Sequence, residues 1–441
     1  MKKKIQKPEL LVPAGNMEKL KVGLAFGADA FYMGMPSFSM RSRINNFDEK
    51  SIMEGVRLIR KAGKKFYVTI NIYPRGNKVD AFKKHLKFLS EKMKPDGVIL
   101  ADPGVLEMVK EYAPKLPIHM SVQANVLNYR AVKFWQKQGA TRIILPRELM
   151  LSEIKEIHEK VPDMELEFFV HGAICVAYSG RCLLSAYMTG RDANQGICAH
   201  NCRWNYKVGI LGNGEGRGGS GARGDEGCAP GDVCLEEEQR PGEFYPIEED
   251  EHGTYIMNSK DMCLLPYLKD LVNAGICSFK IEGRNKTEYY LATVTKAYRQ
   301  AIDDMMAGKK FDKKLLAEVA KTGNRGFIPG FLFGFPGNKN VEFDKSSPMQ
   351  TYKVVGMVKG LAKVKITGAK ASDLYEVEIR NRLEKGQTVE IMTPDKQFGI
   401  KLSEMFDLEG KKLDLVHGGA GNKLLKLKKG LPENTMLRIA I

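Results

Sequence analysis

Across roughly its first 300 residues the sequence alternates short apolar, β-branched runs with longer amphipathic stretches, and it does so eight times. Eight runs read as strands: Leu10 to Pro13, Ala30 to Met33, Phe66 to Asn71, Gly97 to Leu100, Ile118 to Val122, Arg142 to Leu145, Leu166 to Val170 and Ser278 to Glu282. Between them lie stretches with helical spacing, among them Asn16 to Phe26, Asp48 to Ala62, Val105 to Tyr112 and Ser152 to Val161. Asn16, Asp48 and Ser152 are residue types that cap a helix N-terminus. The punctuation Gly27-Ala28-Asp29, Gly139-Ala140-Thr141 and Ala274-Gly275 marks helix ends turning into strands. Strand–helix alternation at this length predicts an α/β fold, a TIM-type (β/α)8-like barrel. A doubly wound parallel sheet satisfies the same alternation.

The spacing breaks between the seventh and eighth runs. An insertion at about residues 172–255 carries a cysteine cluster, a Gly-rich tract from Gly209 to Gly231 and an acidic run from Glu236 to Glu251. Gly214-Glu-Gly216-Arg-Gly-Gly219 matches a dinucleotide fingerprint, but no helix pattern follows it, so it reads as a flexible loop. From Tyr352 the runs become short and turn-punctuated: Tyr352 to Val358, Leu361 to Thr367, Leu374 to Ile379, Thr388 to Met392 and Met436 to Ile441. This pattern predicts a barrel domain over residues 1–335 and a small all-β C-terminal barrel over 350–441.

Charge narrows the partners. With 69 Lys and Arg against 53 Asp and Glu, the chain carries +16, which suits a polyanion such as RNA and equally a Lys-rich solvated surface. The C-terminal segment alone holds 17 basic and 11 acidic residues. A hydrophobic content of 43% excludes a disordered chain. No apolar run reaches the ~20 residues of a membrane helix, and no apolar segment follows the basic N-terminus, so a cytoplasmic protein with no membrane partner is expected.

Four of the eight cysteines fall within 28 residues, as Cys175-x6-Cys182-x15-Cys198-x3-Cys202. Four clustered thiolates repel one another unless a shared cation neutralises them, and an iron–sulfur cluster or zinc does this. Structural zinc favours paired C-x2–4-C knuckles, and only the last pair comes near that, so the wide first gap suits a cluster better. Cys234 is the reserve candidate for the fourth ligand. If the fold is a barrel, the residues after each strand face the active site. Asn71, Gln123, Arg147, Glu148, His171, Glu282 and Arg284 occupy such positions, with Arg41 and Arg43 in the second loop. Converging arginines suit carboxylate or phosphate, although each equally fits as a strand-end cap. His171 fits as a proton shuttle, a donor that orients a ligand, or a packed ring. Neither H-E-x-x-H nor G-x-S-x-G occurs, so the usual hydrolase signatures are missing.

The segment Glu167-Phe-Phe-Val-His-Gly-Ala-Ile-Cys175-x6-Cys182-x2-Ser185 resembles the hallmark of the collagenase-like peptidases, family U-32. Glu9-Leu-Leu-Val-Pro-Ala-Gly-Asn16, Ser121-Val-Gln123, Leu145-Pro-Arg147-Glu148-Leu and Lys280-Ile-Glu-Gly-Arg284 fit the same family. The family name implies peptidase activity, whereas several members are oxygen-independent hydroxylation proteins associated with a 4Fe-4S cluster. Chain length and the Cys198-x3-Cys202-Arg-Trp pattern are nearest the branch that makes 5-hydroxyuridine at the tRNA wobble position with prephenate. That resemblance implies tRNA and prephenate as partners and a paralogous family member as a possible heteromeric one. It casts Cys175, Cys182, Cys198 and Cys202 as metal ligands, Arg147, Glu148 and His171 as catalytic, and Arg41, Gln123, Arg181 and Arg284 as substrate-binding.

Overall fold

A computed structural model of the protein describes residues 6–35, 38–39, 47–173, 185, 191, 198–210, 233–237, 244–246, 249–250, 253–254, 260–334, 349–362 and 373–441. Eight parallel strands form a closed barrel: β1 (Glu9–Pro13), β2 (Ala30–Met33), β3 (Lys65–Thr69), β4 (Gly97–Leu100), β5 (Ile118–Met120), β6 (Ala140–Leu145), β7 (Glu165–Ala173) and β8 (Ile276–Ile281). Each pairs with its neighbour in chain order, and β8 closes the ring by pairing with both β7 and β1, through Ser278↔Glu167 and Glu9↔Ser278. Closure excludes the doubly wound sheet. The strands are buried on both faces, which is why they read as continuous apolar runs rather than as alternating ones.

The helices follow in turn: α1 (Met17–Ala25), α2 (Glu49–Lys61), α3 (Val79–Phe88), α4 (Pro103–Tyr112), α5 (Tyr129–Lys137), α6 (Leu151–Lys160), α7 (Leu268–Asn273) and α8 (Glu288–Met306). Asp48 caps α2 as expected, its Oδ1 accepting the Ser51 N–H at 2.7 Å. Ser152 does not cap α6. The helix starts one residue earlier, because Glu153 Oε2 accepts the N–H of Met150 at 2.7 Å and so satisfies the first turn. At the α7–β8 turn Gly275 adopts φ +98°, and a Cβ there would lie 2.2 Å from His158 Cγ, so both conformation and space demand glycine.

Two compact units result. The first comprises Met1–Asn16, Ala30–Asn285 and Asn324–Pro348, and the second Met17–Asp29, Lys286–Gly323 and Met349–Ile441. In the first, the strand Asp261–Cys263 runs antiparallel to the end of β7, pairing Asp261 with Ala173 and Cys263 with His171. Phe327–Ile328 pairs with it in turn. Within the insertion, Tyr206–Ile210, Val233–Glu237 and Phe244–Pro246 form a three-stranded antiparallel sheet. The Gly-rich stretch of residues 211–232, with the Gly214 fingerprint and Cys228, lies outside the described residues.

The second unit is built on antiparallel strands. Its eight-stranded sheet includes Gln397–Lys401, Thr388–Met392, Met436–Ala440, Tyr352–Leu361, Leu374–Ile379 and Asn422–Lys426, in that order from one edge. Their inward faces share a core of Val355, Val377, Val389, Ile391, Leu425 and Leu437. Arg438 is fully buried at its flank. It is held by Glu390, by Glu318 at 2.6 Å and by the Tyr289 hydroxyl at 3.2 Å, which fastens α8 and the helix Lys314–Val319 to the sheet. Glu18 of α1 likewise takes Lys359 at 2.5 Å and Arg380 at 3.0 Å. No helix among the described residues is long and apolar enough to cross a membrane.

Candidate functional site

The barrel interior is not wholly apolar. Inward-facing positions of successive strands place Glu9, Tyr67, His119, Arg142, Glu167 and Lys280 around one charged layer. Arg142 is braced by Glu9 at 2.8 Å, Glu165 at 2.8 Å and Glu167 at 3.1 Å, while Lys280 lies 2.7 Å from the other oxygen of Glu167. Glu167 has no exposed surface. Burial alone would raise its pKa, but Lys280 and Arg142 outweigh that and hold it below the ordinary carboxylate range, so it stays ionised. His119 is pushed down to about 3, first by burial and then by Arg142, and is neutral at physiological pH. Glu9, Glu167 and Lys280 stand in the motifs quoted above, but the sequence assigned no role to any of these interior charges. The available signal is a charged residue at an inward position inside an otherwise apolar strand, as in Leu166-Glu167-Phe168 and Phe279-Lys280-Ile281.

Toward the C-terminal ends of the strands, Lys280 of this layer and two arginines gather on two aromatic rings. Lys280 Nζ lies 4.6 Å from the Tyr32 ring centroid and 5.3 Å from that of Phe169. Arg284 stacks over Tyr32 at 5.1 Å and Arg147 over Phe169 at 4.0 Å. Arg284 is 5% exposed and donates to Thr69 Oγ1 at 2.8 Å and Ser39 Oγ at 3.4 Å, so neutral hydroxyls orient it. Gly34 makes room for this: a Cβ there would sit 2.4 Å from both hydroxyl oxygens. Arg147 is 7% exposed and donates to the carbonyl of Ala173 at 2.8 Å, while its buried Nε meets no partner among the described residues. On the adjacent strand end, Gln123 Oε1 accepts from Asn71 at 2.7 Å and from Ser121 at 3.1 Å, leaving its buried Nε2 without a partner there. Two buried donors awaiting acceptors, beside three cations, make a mouth suited to an anion bearing several oxygens.

Sequence reasoning thus places Gln123, Arg147 and Arg284 at one mouth, and the structure brings them there. Glu148 is half-buried beside Arg147. His171 is 1% exposed, with its ring 5.3 Å from that of Phe327, and its carbonyl accepts the Glu282 N–H at 2.9 Å. Gly172 follows with φ +113°, where a Cβ would collide with Glu282 at 2.8 Å, so β7 and the chain after β8 approach closely here. Arg41, Arg181, Cys175 and Cys182 lie outside the described residues.

Cys198 and Cys202 are half-buried cysteines within the insertion. The loop between them turns through His200 at φ +59°, and the His200 N–H points at Cys198 Sγ at 3.4 Å. The Ala199 N–H is held by Ser185 Oγ at 2.8 Å. Cys234 is buried in Val233–Glu237 and is disulfide-bonded.

A family model described as Peptidase family U32 matches residues 15–342, and one described as Peptidase family U32 C-terminal domain matches residues 350–438. The chain is 41% identical over 448 residues to tRNA hydroxylation protein P of Escherichia coli, covering 98% of this chain and 96% of that protein. It is 35% identical over 437 residues to tRNA hydroxylation protein P1 of Bacillus subtilis, covering 98% and 95%. To tRNA hydroxylation protein P2 of the same organism it is 33% identical over 335 residues, covering 75% of this chain and 98% of that one.

Proposed function

The chain belongs to peptidase family U32, and from that premise we propose that it is a tRNA-modifying enzyme that hydroxylates uridine at C5 to give 5-hydroxyuridine at the wobble position. The observation that carries this reading is the 41% identity, over nearly the full length of both chains, to a protein named for tRNA hydroxylation. The missing hydrolase signatures agree with it, and so does the chain's +16 charge.

Prephenate is the proposed co-substrate and the reaction is proposed to need no oxygen. Prephenate carries two carboxylates. Arg147 and Arg284 would each receive one, with Lys280 beneath them adding positive potential and Gln123 Nε2 donating to a remaining oxygen. The fixed partners of both guanidiniums, Ala173 O for Arg147 and Thr69 Oγ1 for Arg284, hold them in place before the anion arrives, so little side-chain order is lost on binding. Glu148 and His171 stand next to this mouth as the groups available to hold or move a proton.

A 4Fe-4S cluster is proposed on Cys175, Cys182 and Cys198, with Cys202 as the fourth ligand; Cys234, the alternative, is held in a disulfide and could serve only after its reduction, and zinc is the competing metal. Such a cluster supplies one-electron chemistry or a fixed loop geometry. The coexistence of proteins P1 and P2 in Bacillus subtilis supports a paralogue as a heteromeric partner. Nucleoside mass spectrometry of tRNA from cells with and without the gene tests the reading. Loss of 5-hydroxyuridine derivatives on deletion, restored by the gene, is expected. Unchanged levels in a strain lacking paralogues, with loss of gelatin cleavage instead, would favour protein hydrolysis.

A further inference from the structure

Gln123 is held at every polar atom but one. Its backbone N–H donates to Ser121 Oγ at 3.4 Å, and its carbonyl accepts the Tyr73 hydroxyl at 2.9 Å. Its side-chain Oε1 accepts from Asn71 Nδ2 at 2.7 Å and from the Ser121 hydroxyl at 3.1 Å. Ser121 Oγ already accepts the Gln123 N–H, so its own hydrogen points to Oε1 and two donors hold that oxygen. The amide cannot turn over without setting its NH2 against the Asn71 NH2. What remains is a fixed donor, Nε2, on a residue 1% exposed, with no acceptor among the described residues.

The same stretch of chain holds Arg284. Thr69 ends β3, and its Oγ1 accepts from Arg284 at 2.8 Å. Strand pairing continues past it, since the Ile70 N–H donates to the Ile99 carbonyl at 2.8 Å. Alternation then puts Thr69 and Asn71 on one side of the chain, about 7 Å apart. An anchor for a carboxylate and a locked donor for a second oxygen thus hang from neighbouring positions.

We propose, resting on the prephenate reading above, that Gln123 is a specificity-determining residue that takes the keto oxygen of an α-keto carboxylate, and that Asn71 is a positioning residue that fixes the direction of its amide. A hydroxyl both donates and accepts, so either end of an amide serves it. A locked donor matters only for a group that accepts and cannot donate. Carboxylate oxygens fall to the arginines, which leaves the keto oxygen beside one of them. An ammonium on the same carbon only donates. It would face Nε2 hydrogen to hydrogen and leave both groups unsatisfied. The site thereby selects an α-keto acid against the matching α-amino acid.

Calorimetry on the full-length protein, purified anaerobically, measures the affinity for two ligand pairs. One is prephenate and its counterpart with an ammonium in place of the keto oxygen; the other is phenylpyruvate and phenylalanine. Lys280, Arg147 and Arg284 also repel an ammonium, so both variants leave the net charge unchanged. Asn71→Leu removes a donor that locks Oε1, and the Ser121 hydroxyl can accept as well as donate, so the amide can turn its oxygen toward an ammonium. The keto-over-amino ratio should fall about tenfold, with the amino ligands binding more tightly than they bind the parent. Damage to the fold weakens all four ligands and cannot produce that gain. Gln123→Met should weaken the keto acids about tenfold and leave the amino ligands within about twofold. A parent that binds both members of a pair equally, or a folded Asn71→Leu that keeps the parental ratios, overturns the proposal and leaves prephenate binding untouched. Selection of phenylpyruvate that Asn71→Leu relaxes, without any binding of prephenate, supports the proposal and removes prephenate as the ligand. No binding of either keto acid overturns both.

Discussion

Replacing Glu167 by Gln tests whether the barrel depends on its interior charges. Glu167 is fully buried and lies 2.7 Å from Lys280 and 3.1 Å from Arg142. In Glu167→Gln, Arg142 keeps Glu9 and Glu165, each at 2.8 Å, so the uncompensated charge falls on Lys280, which is 3% exposed. Removing one partner of such a buried pair costs about 3–5 kcal/mol. Lys280→Met leaves Glu167 with Arg142 and should cost less than half of that. The double variant removes both charges and should recover at least about 2 kcal/mol relative to the sum of the singles. Intrinsic fluorescence in urea reads this directly, because both tryptophans, Trp135 and Trp204, lie in the barrel unit. The pH dependence has a definite sign. Glu167 has a depressed folded pKa, so its stabilisation is present above about pH 4.3 and is lost as pH falls through the folded value. Burial lowers Lys280, and Glu167 opposes that shift. Without Glu167 the folded state gives up the Lys280 proton more readily than the unfolded chain, so the stability of Glu167→Gln should rise with pH until about 10.4. A loss below about 1 kcal/mol at pH 7, with additive singles, would refute the interior ion pair as a structural element.

Three further outcomes are expected. Arg147→Lys keeps the charge but loses the guanidinium fork, so kcat/KM for prephenate should fall about 10–100-fold while tRNA affinity is unchanged; equal losses in both would contradict a carboxylate-binding role. Gly34→Ala pushes a methyl against the hydroxyls of Ser39 and Thr69 that hold Arg284, and should raise KM for prephenate about tenfold with kcat little changed, as steady-state kinetics will show. Anaerobically purified protein should be brown and carry about four irons per chain, lost in Cys198→Ser, and comparing Cys202→Ser with Cys234→Ser by iron analysis identifies the fourth ligand; stoichiometric zinc without iron would sink the cluster.

The barrel was legible because its strands are buried on both faces and separated by amphipathic helices, so eight apolar runs stood out, three of them introduced by a Gly-marked turn. Several C-terminal strands escaped notice, Gln397–Lys401 and Asn422–Lys426 among them. The first has only Phe398 and Ile400 to show alternation, and the second sets Leu424 and Leu425 side by side between two lysines, so neither carries the apolar pattern on which strand reading depends. At the mouth, Gln123, Arg147 and Arg284 were found because strand ends of a barrel converge wherever the sequence places them. Glu167, Arg142 and Lys280 were missed because inward position depends on strand tilt and register, and single charges in apolar strands do not announce their partners. Ser39 and Thr69 acquire meaning only through Arg284, a contact spanning more than 200 residues of chain.

The most direct measurement is a reconstituted reaction. Anaerobically purified protein is incubated with prephenate and tRNA from the deletion strain, and 5-hydroxyuridine is quantified by nucleoside mass spectrometry. Time-dependent formation of 5-hydroxyuridine that requires prephenate and is lost in Arg147→Lys combined with Arg284→Lys is the expected result. No hydroxylated uridine from iron-loaded protein supplemented with its paralogue and an electron acceptor, while the same preparation cleaves gelatin, would contradict tRNA hydroxylation as the function of this chain.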